Sequence, residues 1–140
     1  MTTLELPFVG NISCGFTSPA EDHIQETIDL NKHLITHPEA TFFAKANRYS
    51  LAPLVMPGSL LLINRALEWN PDLLAACFID REFTAKWIQQ VNGIVKLIPF
   101  NAEFPVLEYN PEMSDISIWG IITAIINKDV RYSRLQQFLR

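Results

Sequence analysis

Ser50 and Lys86 are the two side chains of this 140-residue sequence whose types could together do chemistry. Ser50 closes the segment Thr41-Phe42-Phe43-Ala44-Lys45-Ala46-Asn47-Arg48-Tyr49-Ser50, and Lys86 sits inside the strand-like Glu82-Phe83-Thr84-Ala85-Lys86-Trp87-Ile88. A serine hydroxyl is a weak nucleophile until a base takes its proton. The histidines, His23, His33 and His37, lie in the N-terminal segments and are not well placed by sequence. A lysine can serve as that base only when neutral. With a reference pKa near 10.4, about one lysine in 2,500 is neutral at pH 7, and burial in apolar surroundings can lower the pKa by roughly 3 units. On a strand, Lys86 shares its face with Thr84 and Ile88, while Phe83, Ala85 and Trp87 take the other. Glu82 is also on the lysine's face, but four extended residues away it is roughly 13 Å distant and need not hold the charge. The ordinary readings are a solvated lysine on an edge strand and a turn or helix-cap serine. Spacing alone does not choose between them.

Composition narrows the rest. The length fits one domain, and the 49% of apolar residues suffices for a real core. Net charge is −4 and the pI about 5.3, whereas holding nucleic acid through its phosphates requires a basic face. Strong direct DNA binding is not expected. Cys14 and Cys77 do not make a disulfide framework. Cys77, in Leu73-Leu74-Ala75-Ala76-Cys77-Phe78-Ile79, reads as a small buried core residue. A reducing cytosol is therefore expected. Met1 to Val9 lacks the basic first region and long apolar stretch of a signal peptide, which also argues against a lipoprotein site at Cys14. The longest apolar-dominated run, Ile116 to Ile126, falls short of the ~20 residues of a membrane helix. The expectation is a soluble, cytoplasmic protein.

Along the chain, residues 1–20 read as an arm. Leu4, Leu6 and Phe8 alternate at period two, and Pro7, Gly10 and Pro19 prevent regular pairing throughout. Residues 29–37 look briefly helical, with Asp29 as a cap and Pro38 as the stop. Strands are expected at 41–46, 59–64, 73–79, 82–88, 93–98, 105–109 and 115–127. The turn signals between them are Pro57-Gly58, Asn70-Pro71, Asp80-Arg81, Asn92-Gly93 and Asn110-Pro111. Such a pattern suggests a compact, mainly β domain with a partly closed sheet. In the tail from Arg131 to Arg140, Tyr132, Leu135 and Leu139 share a helical face and the arginines lie on other sides. A terminal helix packed on the body is expected; the alternative is a docking helix for an acidic partner. His33 and His37 have the i, i+4 spacing of a metal pair, but further ligands and the glutamate of the His-Glu-x-x-His motif are missing, so no metal or cofactor is expected. Trp69, Trp87 and Trp119 read as core or interface residues.

A resemblance gives these signals a direction. Cys14-Gly15-Phe16-Thr17-Ser18-Pro19-Ala20 resembles the cleavage-site segment of the UmuD family. Ile28-Asp29-Leu30-Asn31, Leu34-Ile35-Thr36-His37-Pro38, Ala40-Thr41-Phe42-Phe43-Ala44-Lys45-Ala46, Glu82-Phe83-Thr84-Ala85-Lys86 and Leu97-Ile98-Pro99-Phe100-Asn101 follow in register. Ile118-Trp119-Gly120-Ile121-Ile122 is similar to the family's last strand, so the likeness covers residues 14 to about 127. The family belongs with the LexA-type self-cleaving serine peptidases (peptidase S24), which share a β-rich fold. The resemblance implies that Ser50 is the nucleophile, Lys86 the general base and Cys14-Gly15 the scissile bond. It implies an arm over 1–27 carrying that bond, a peptidase-like domain over 28–140, and a short C-terminal helix. The N–H of Ser50, with a neighbouring N–H, would stabilise the oxyanion. Implied partners are a second copy in a homodimer, the RecA filament on single-stranded DNA that stimulates cleavage, and a UmuC-type polymerase catalytic subunit in the SOS response. They extend to the replication sliding clamp.

The sequence also departs from the family pattern. The family's nucleophile is followed by methionine, an acidic residue and glycines, whereas here Ser50 leads into Leu51-Ala52-Pro53-Leu54-Val55-Met56-Pro57-Gly58. The stretch is one residue shorter, and Ser59 stands where an aspartate is usual. Leu51 for methionine is nearly volume-neutral; losing glycines and gaining Pro53 could change the turn beside the nucleophile. The arm before Cys14 is shorter than usual and the tail after Asn127 longer. The alternative reading is therefore a peptidase-inactive binding module that acts only through protein partners. A LexA-like regulator is a third, although too little precedes Cys14 for a helix-turn-helix reader. The residues from Cys14 to Ser50 could stretch to roughly 120 Å, so reach allows cutting within one chain or across a dimer.

Overall fold

The structure, a computed structural model, describes residues 4–8, 26–112 and 115–138. They fall into two units, one within residues 1–38 and the other within 39–140.

In the first unit, β1 (Glu5–Phe8) pairs antiparallel with β2 (Glu26–Asp29), with Leu6 opposite Ile28 and Pro7 opposite Thr27. Proline is tolerated there because a two-stranded ribbon consists only of edge strands. The period-two alternation of Leu4, Leu6 and Phe8 thus takes the form of a strand. Helix α1 follows at Leu30–Leu34. Its cap is Asp29, whose Oδ1 accepts from the N–H of Asn31 at 3.0 Å and of Lys32 at 3.4 Å. The helix is shorter than 29–37 because Ile35 is already extended, three residues before Pro38. Pro38–Ala40 forms one turn of 3-10 helix.

The second unit is a seven-stranded antiparallel sheet. Its strands are β3 (Thr41–Lys45), β4 (Leu60–Asn64), β5 (Ala75–Ile79), β6 (Glu82–Val91), β7 (Ile94–Ile98), β8 (Leu107–Tyr109) and β9 (Ile116–Ile126). The order is β3-β4-β9-β5-β6-β7-β8, so the long last strand inserts between β4 and β5. The mainly β class and all seven expected strands are present, with ends moved by a few residues. Two hairpins have the turns their sequences announce. Asp80 and Arg81 both take positive φ between β5 and β6, and Asn92 and Gly93 do so between β6 and β7, as two-residue hairpins require.

Pairing explains which strands are apolar throughout. On β5, Ala76 packs with Leu51, Val55, Leu61, Ile63, Leu74 and Ile122. Its neighbours Ala75, Cys77 and Ile79 pack on the opposite face with Ile88, Val95 and Leu97. A strand buried on both faces reads as a continuous apolar run rather than an alternation. Cys77 is fully buried there. Strand β9 carries two irregularities. Its register with β5 shifts around Trp119, and that with β4 shifts around Thr123, as β-bulges do.

The tail forms a single helical turn, α2 (Tyr132–Leu135), continued by a 3-10 turn to Phe138. It packs on the body, with Leu135 of the expected face half-buried but with Tyr132 turned away. Tyr132 is exposed, whereas Arg134 turns inward and donates to the carbonyls of Pro57 and Asp129 and to Asn127 Oδ1. Four residues are too few to express a helical stripe, and an arginine with five donors satisfies carbonyls that a leucine cannot. Leu139 lies outside the described residues.

Candidate active site

Ser50 lies five residues beyond the end of β3, in a turn over residues 50–54, rather than at a strand end. The connection between β3 and β4 is closed at its base by two backbone bonds. The N–H of Ala46 donates to the carbonyl of Ser59 at 2.9 Å, and that of Gly58 to the carbonyl of Ala46 at 2.7 Å. Gly58 has φ +93°, a conformation that glycine reaches without strain. Within the connection, Leu51, Ala52, Val55 and Met56 are buried. The departures from the family pattern therefore leave a loop anchored in the core. The Ala52–Pro53 peptide is cis.

Lys86 occupies the point where β6 changes partners. Residues 82–86 pair with β5 and residues 87–91 with β7. Directly opposite Lys86 is Ala75, and on the same face Cys77 stands opposite Thr84. These small neighbours leave room for a long side chain to lie along the sheet and become half-buried. Its Nζ reaches Ser50 Oγ at 3.2 Å.

The surroundings of Lys86 make its proton easier to remove. Burial lowers the Lys86 pKa from its ordinary value, and the positive charge of Arg48 lowers it further, while Glu82 and, once ionised, the Cys77 thiolate oppose both. Burial pushes the Cys77 thiol up to about 11, so at pH 7 it is uncharged and supplies no counter-charge. Glu82 is engaged elsewhere, in an ion pair with Arg48 at 2.8 Å. Among the described residues, no carboxylate forms an ion pair with Lys86.

Ser50 opens onto a cleft of about 430 Å³. Leu61, Ile63 and Ile122 give it an apolar lining, Ala44 and Ala46 contribute small side chains, and Arg48 and Glu82 add charge. Among the described residues, strand β3, which contributes Ala44, is an edge of the sheet with a neighbour on one side only. Among the described residues, the N–H groups of Ser50 and Leu51 carry no hydrogen bond.

Of the residues singled out by sequence, the fold brings Ser50 and Lys86 together. Cys14 and Gly15 lie outside the described residues. His33 and His37 belong to the first unit, and among the described residues no group of three or more side chains could hold a metal ion. Among them, too, no helix is long and apolar enough to cross a membrane. Sequence reasoning gave no role to Asn101, which is buried and donates from Nδ2 to the Tyr49 carbonyl at 3.2 Å. A buried asparagine behind a Pro-Phe step was the available signal. It also missed Phe138, whose ring stacks on Tyr49 with centroids 6.3 Å apart.

Comparison with known proteins gives this geometry a family. The profile described as Peptidase S24-like matches residues 7–123. The chain is 34% identical over 122 residues to protein SamA of Salmonella typhimurium strain LT2, covering 86% of this chain and 84% of that protein. It is 30% identical over 120 residues to protein MucA of Salmonella typhimurium, covering 84% and 82%. A LexA repressor, from Hahella chejuensis, is 27% identical over 124 residues, or 88% of this chain and 62% of the repressor. With most of its length matched and its serine and lysine side chains in contact, the chain belongs to the S24-like peptidase family.

Proposed function

We propose that the chain is a serine endopeptidase of the Ser-Lys type whose substrate is its own Cys14-Gly15 bond. The contact between Lys86 Nζ and Ser50 Oγ carries this reading. Neutral Lys86 accepts the hydroxyl proton as Ser50 Oγ attacks the Cys14 carbonyl carbon. The N–H of Ser50 faces the oxyanion. The tetrahedral intermediate collapses, the Cys14–Gly15 C–N bond breaks as the lysine proton passes to the Gly15 nitrogen, and residues 1–14 remain as an ester on Ser50 Oγ. A water that gives its proton to the regenerated amine then attacks the Ser50 ester, the lysine returns that proton to Ser50 Oγ as the ester bond breaks, and residues 1–14 are freed with the Cys14 carboxylate.

The cleft supports this substrate. The free edge of β3 is suited to an extended segment adding as a strand, and an alanine-lined entry admits small residues such as Cys14 and Gly15. A tethered substrate also reacts at a high effective concentration. The inactive-module alternative rested on the altered loop, and that loop keeps its apolar side chains in the core and its serine against the lysine.

Cleavage is further proposed to be stimulated by RecA filaments on single-stranded DNA, as part of an SOS response in the cytoplasm. The released fragment, as a homodimer, would join an error-prone polymerase and, through it, the sliding clamp. The family resemblance supports these assignments. An exposed aromatic run offers an apolar face for such contacts: Phe42 and Phe83 lie 5.2 and 5.4 Å from Trp119, and Phe78 stacks on Phe83 at 4.9 Å.

Incubating the purified chain at alkaline pH, followed by intact mass spectrometry, tests the reading. A 15–140 fragment is expected in the wild type and not in Ser50→Ala or Lys86→Ala. An intact wild-type chain, with and without activated RecA, would overturn it.

A further inference from the structure

Two peptide planes flank Ser50, and one short segment between β7 and β8 holds both. The carbonyl of Tyr49 accepts from Asn101 Nδ2 at 3.2 Å as well as from the N–H of Ala52 at 3.0 Å. The carbonyl of Ser50 accepts from the N–H of Phe100 at 3.0 Å and from that of Asn101 at 2.9 Å. In a trans peptide the C=O and N–H point in opposite directions across a rigid plane. Anchoring the Tyr49 oxygen therefore aims the Ser50 N–H, and anchoring the Ser50 oxygen aims the Leu51 N–H. Those two N–H groups carry no hydrogen bond among the described residues, which leaves them available to a developing oxyanion.

Asn101 has the chemistry this task needs. It is a polar residue only 7% exposed, and both ends of its amide are used. Nδ2 donates to the Tyr49 carbonyl, while Oδ1 accepts from the Glu103 N–H at 3.0 Å and so closes its own turn. An aspartate would keep the second bond and lose the first, because a carboxylate has no donor. An alanine would lose both.

We propose that Asn101 is a positioning residue for Ser50, fixing the peptide plane whose N–H stabilises the oxyanion. It touches neither the substrate nor Lys86 in this role; it acts through the backbone. The inference rests on the proposed nucleophilic role of Ser50.

The test compares the self-cleavage rates of the full-length wild type, Asn101→Ala and Asn101→Asp across neutral to alkaline pH. Each protein is assayed well below its own melting temperature. In Asn101→Ala the plateau rate at high pH should fall about 100-fold, the cost of a misaimed reacting group. The pH midpoint, which reports Lys86, should stay where it is in the wild type. Asn101→Asp, which retains the turn, should show a comparable loss of plateau rate and so covers the case in which Asn101→Ala does not fold. A loss caused only by destabilisation would disappear on cooling, and that result overturns the proposal. So does a wild-type plateau in either variant; the wild type cleaving normally in the same experiment then leaves the peptidase reading intact. A wild type that never cleaves overturns both.

Discussion

Lys86 Nζ lies 3.2 Å from Ser50 Oγ, while Glu82, on the same face of the same strand, is taken by Arg48 at 2.8 Å. Among the described residues, the lysine is thus given a hydroxyl for a partner and no carboxylate. A hydroxyl interacts with either protonation state, since it can accept from the ammonium ion or donate to the amine. Burial shifts the balance toward the amine.

The pH dependence follows from that shift. Cleavage should rise about tenfold per pH unit while Lys86 is mostly protonated and level off below 10.5, because the folded pKa lies below the ordinary value. Between the folded pKa and 10.5 the unfolded chain binds the proton that the folded chain has released. Stability therefore rises with pH through this window on account of Lys86, and the contribution is absent below it. Thermal melts of the non-cleaving Ser50→Ala and Ser50→Ala/Lys86→Met proteins check this: the advantage of the methionine variant should shrink as pH increases. A constant difference would contradict it.

Arg48 and Glu82 should tune the same titration in opposite directions. Arg48 lowers the Lys86 pKa and Glu82 raises it. Arg48→Ala removes the repulsion and frees the carboxylate, so its cleavage profile should move to higher pH. Glu82→Gln should move to lower pH. Both partners are exposed, so added salt should compress the two displacements. Profiles shifted in the same direction would be incompatible with this electrostatic account.

Ser59 is a candidate for gain. It is 1% exposed, and its Oγ has no hydrogen-bond partner among the described residues. Burying an unpaired hydroxyl costs about 1–3 kcal/mol. Ser59→Ala should leave the melting temperature unchanged or raise it by a few degrees. A marked fall in differential scanning calorimetry would show that the hydroxyl is satisfied in solution.

Gly120 is a position where β9 passes too close to β4 for a side chain. A Cβ built there would stand 2.6 Å from Ile63 Cγ2, and Ile63 is 1% exposed in a packed core. Gly120→Ala should cost about 1–3 kcal/mol by overpacking, seen as a lowered urea midpoint with an unchanged slope. A wild-type midpoint would mean that β9 can move away.

The strands were legible because their signals are local. Asn92-Gly93 favours a two-residue turn through its own backbone preferences, Asp80-Arg81 marks a polar break between two apolar strands, and the apolar run around Cys77 identifies a strand covered on both faces. Ser50 and Lys86 were singled out by the family resemblance of motifs along the chain, since their spacing alone did not choose between a dyad and two ordinary residues. Local reading misplaced the serine at a strand end, since the boundary depends on how the loop closes through Ala46, Gly58 and Ser59. It placed Arg134 away from the packing face, since nothing within that segment specifies the Pro57 carbonyl that it meets, whereas Arg131 is exposed as that reading has it.

What the sequence determined by itself was the class of the fold, the order of its strands along the chain and the identity of a serine and a lysine worth pairing. The tertiary structure alone decided that the two side chains touch, that Arg48 draws Glu82 aside and that Asn101 grips the backbone at Ser50. Turns and alternation are set by neighbours within a few residues, whereas each of these contacts joins segments more than thirty residues apart. Such contacts exist only once β3, β6 and the β7–β8 connection have been brought together by burying the core beneath them.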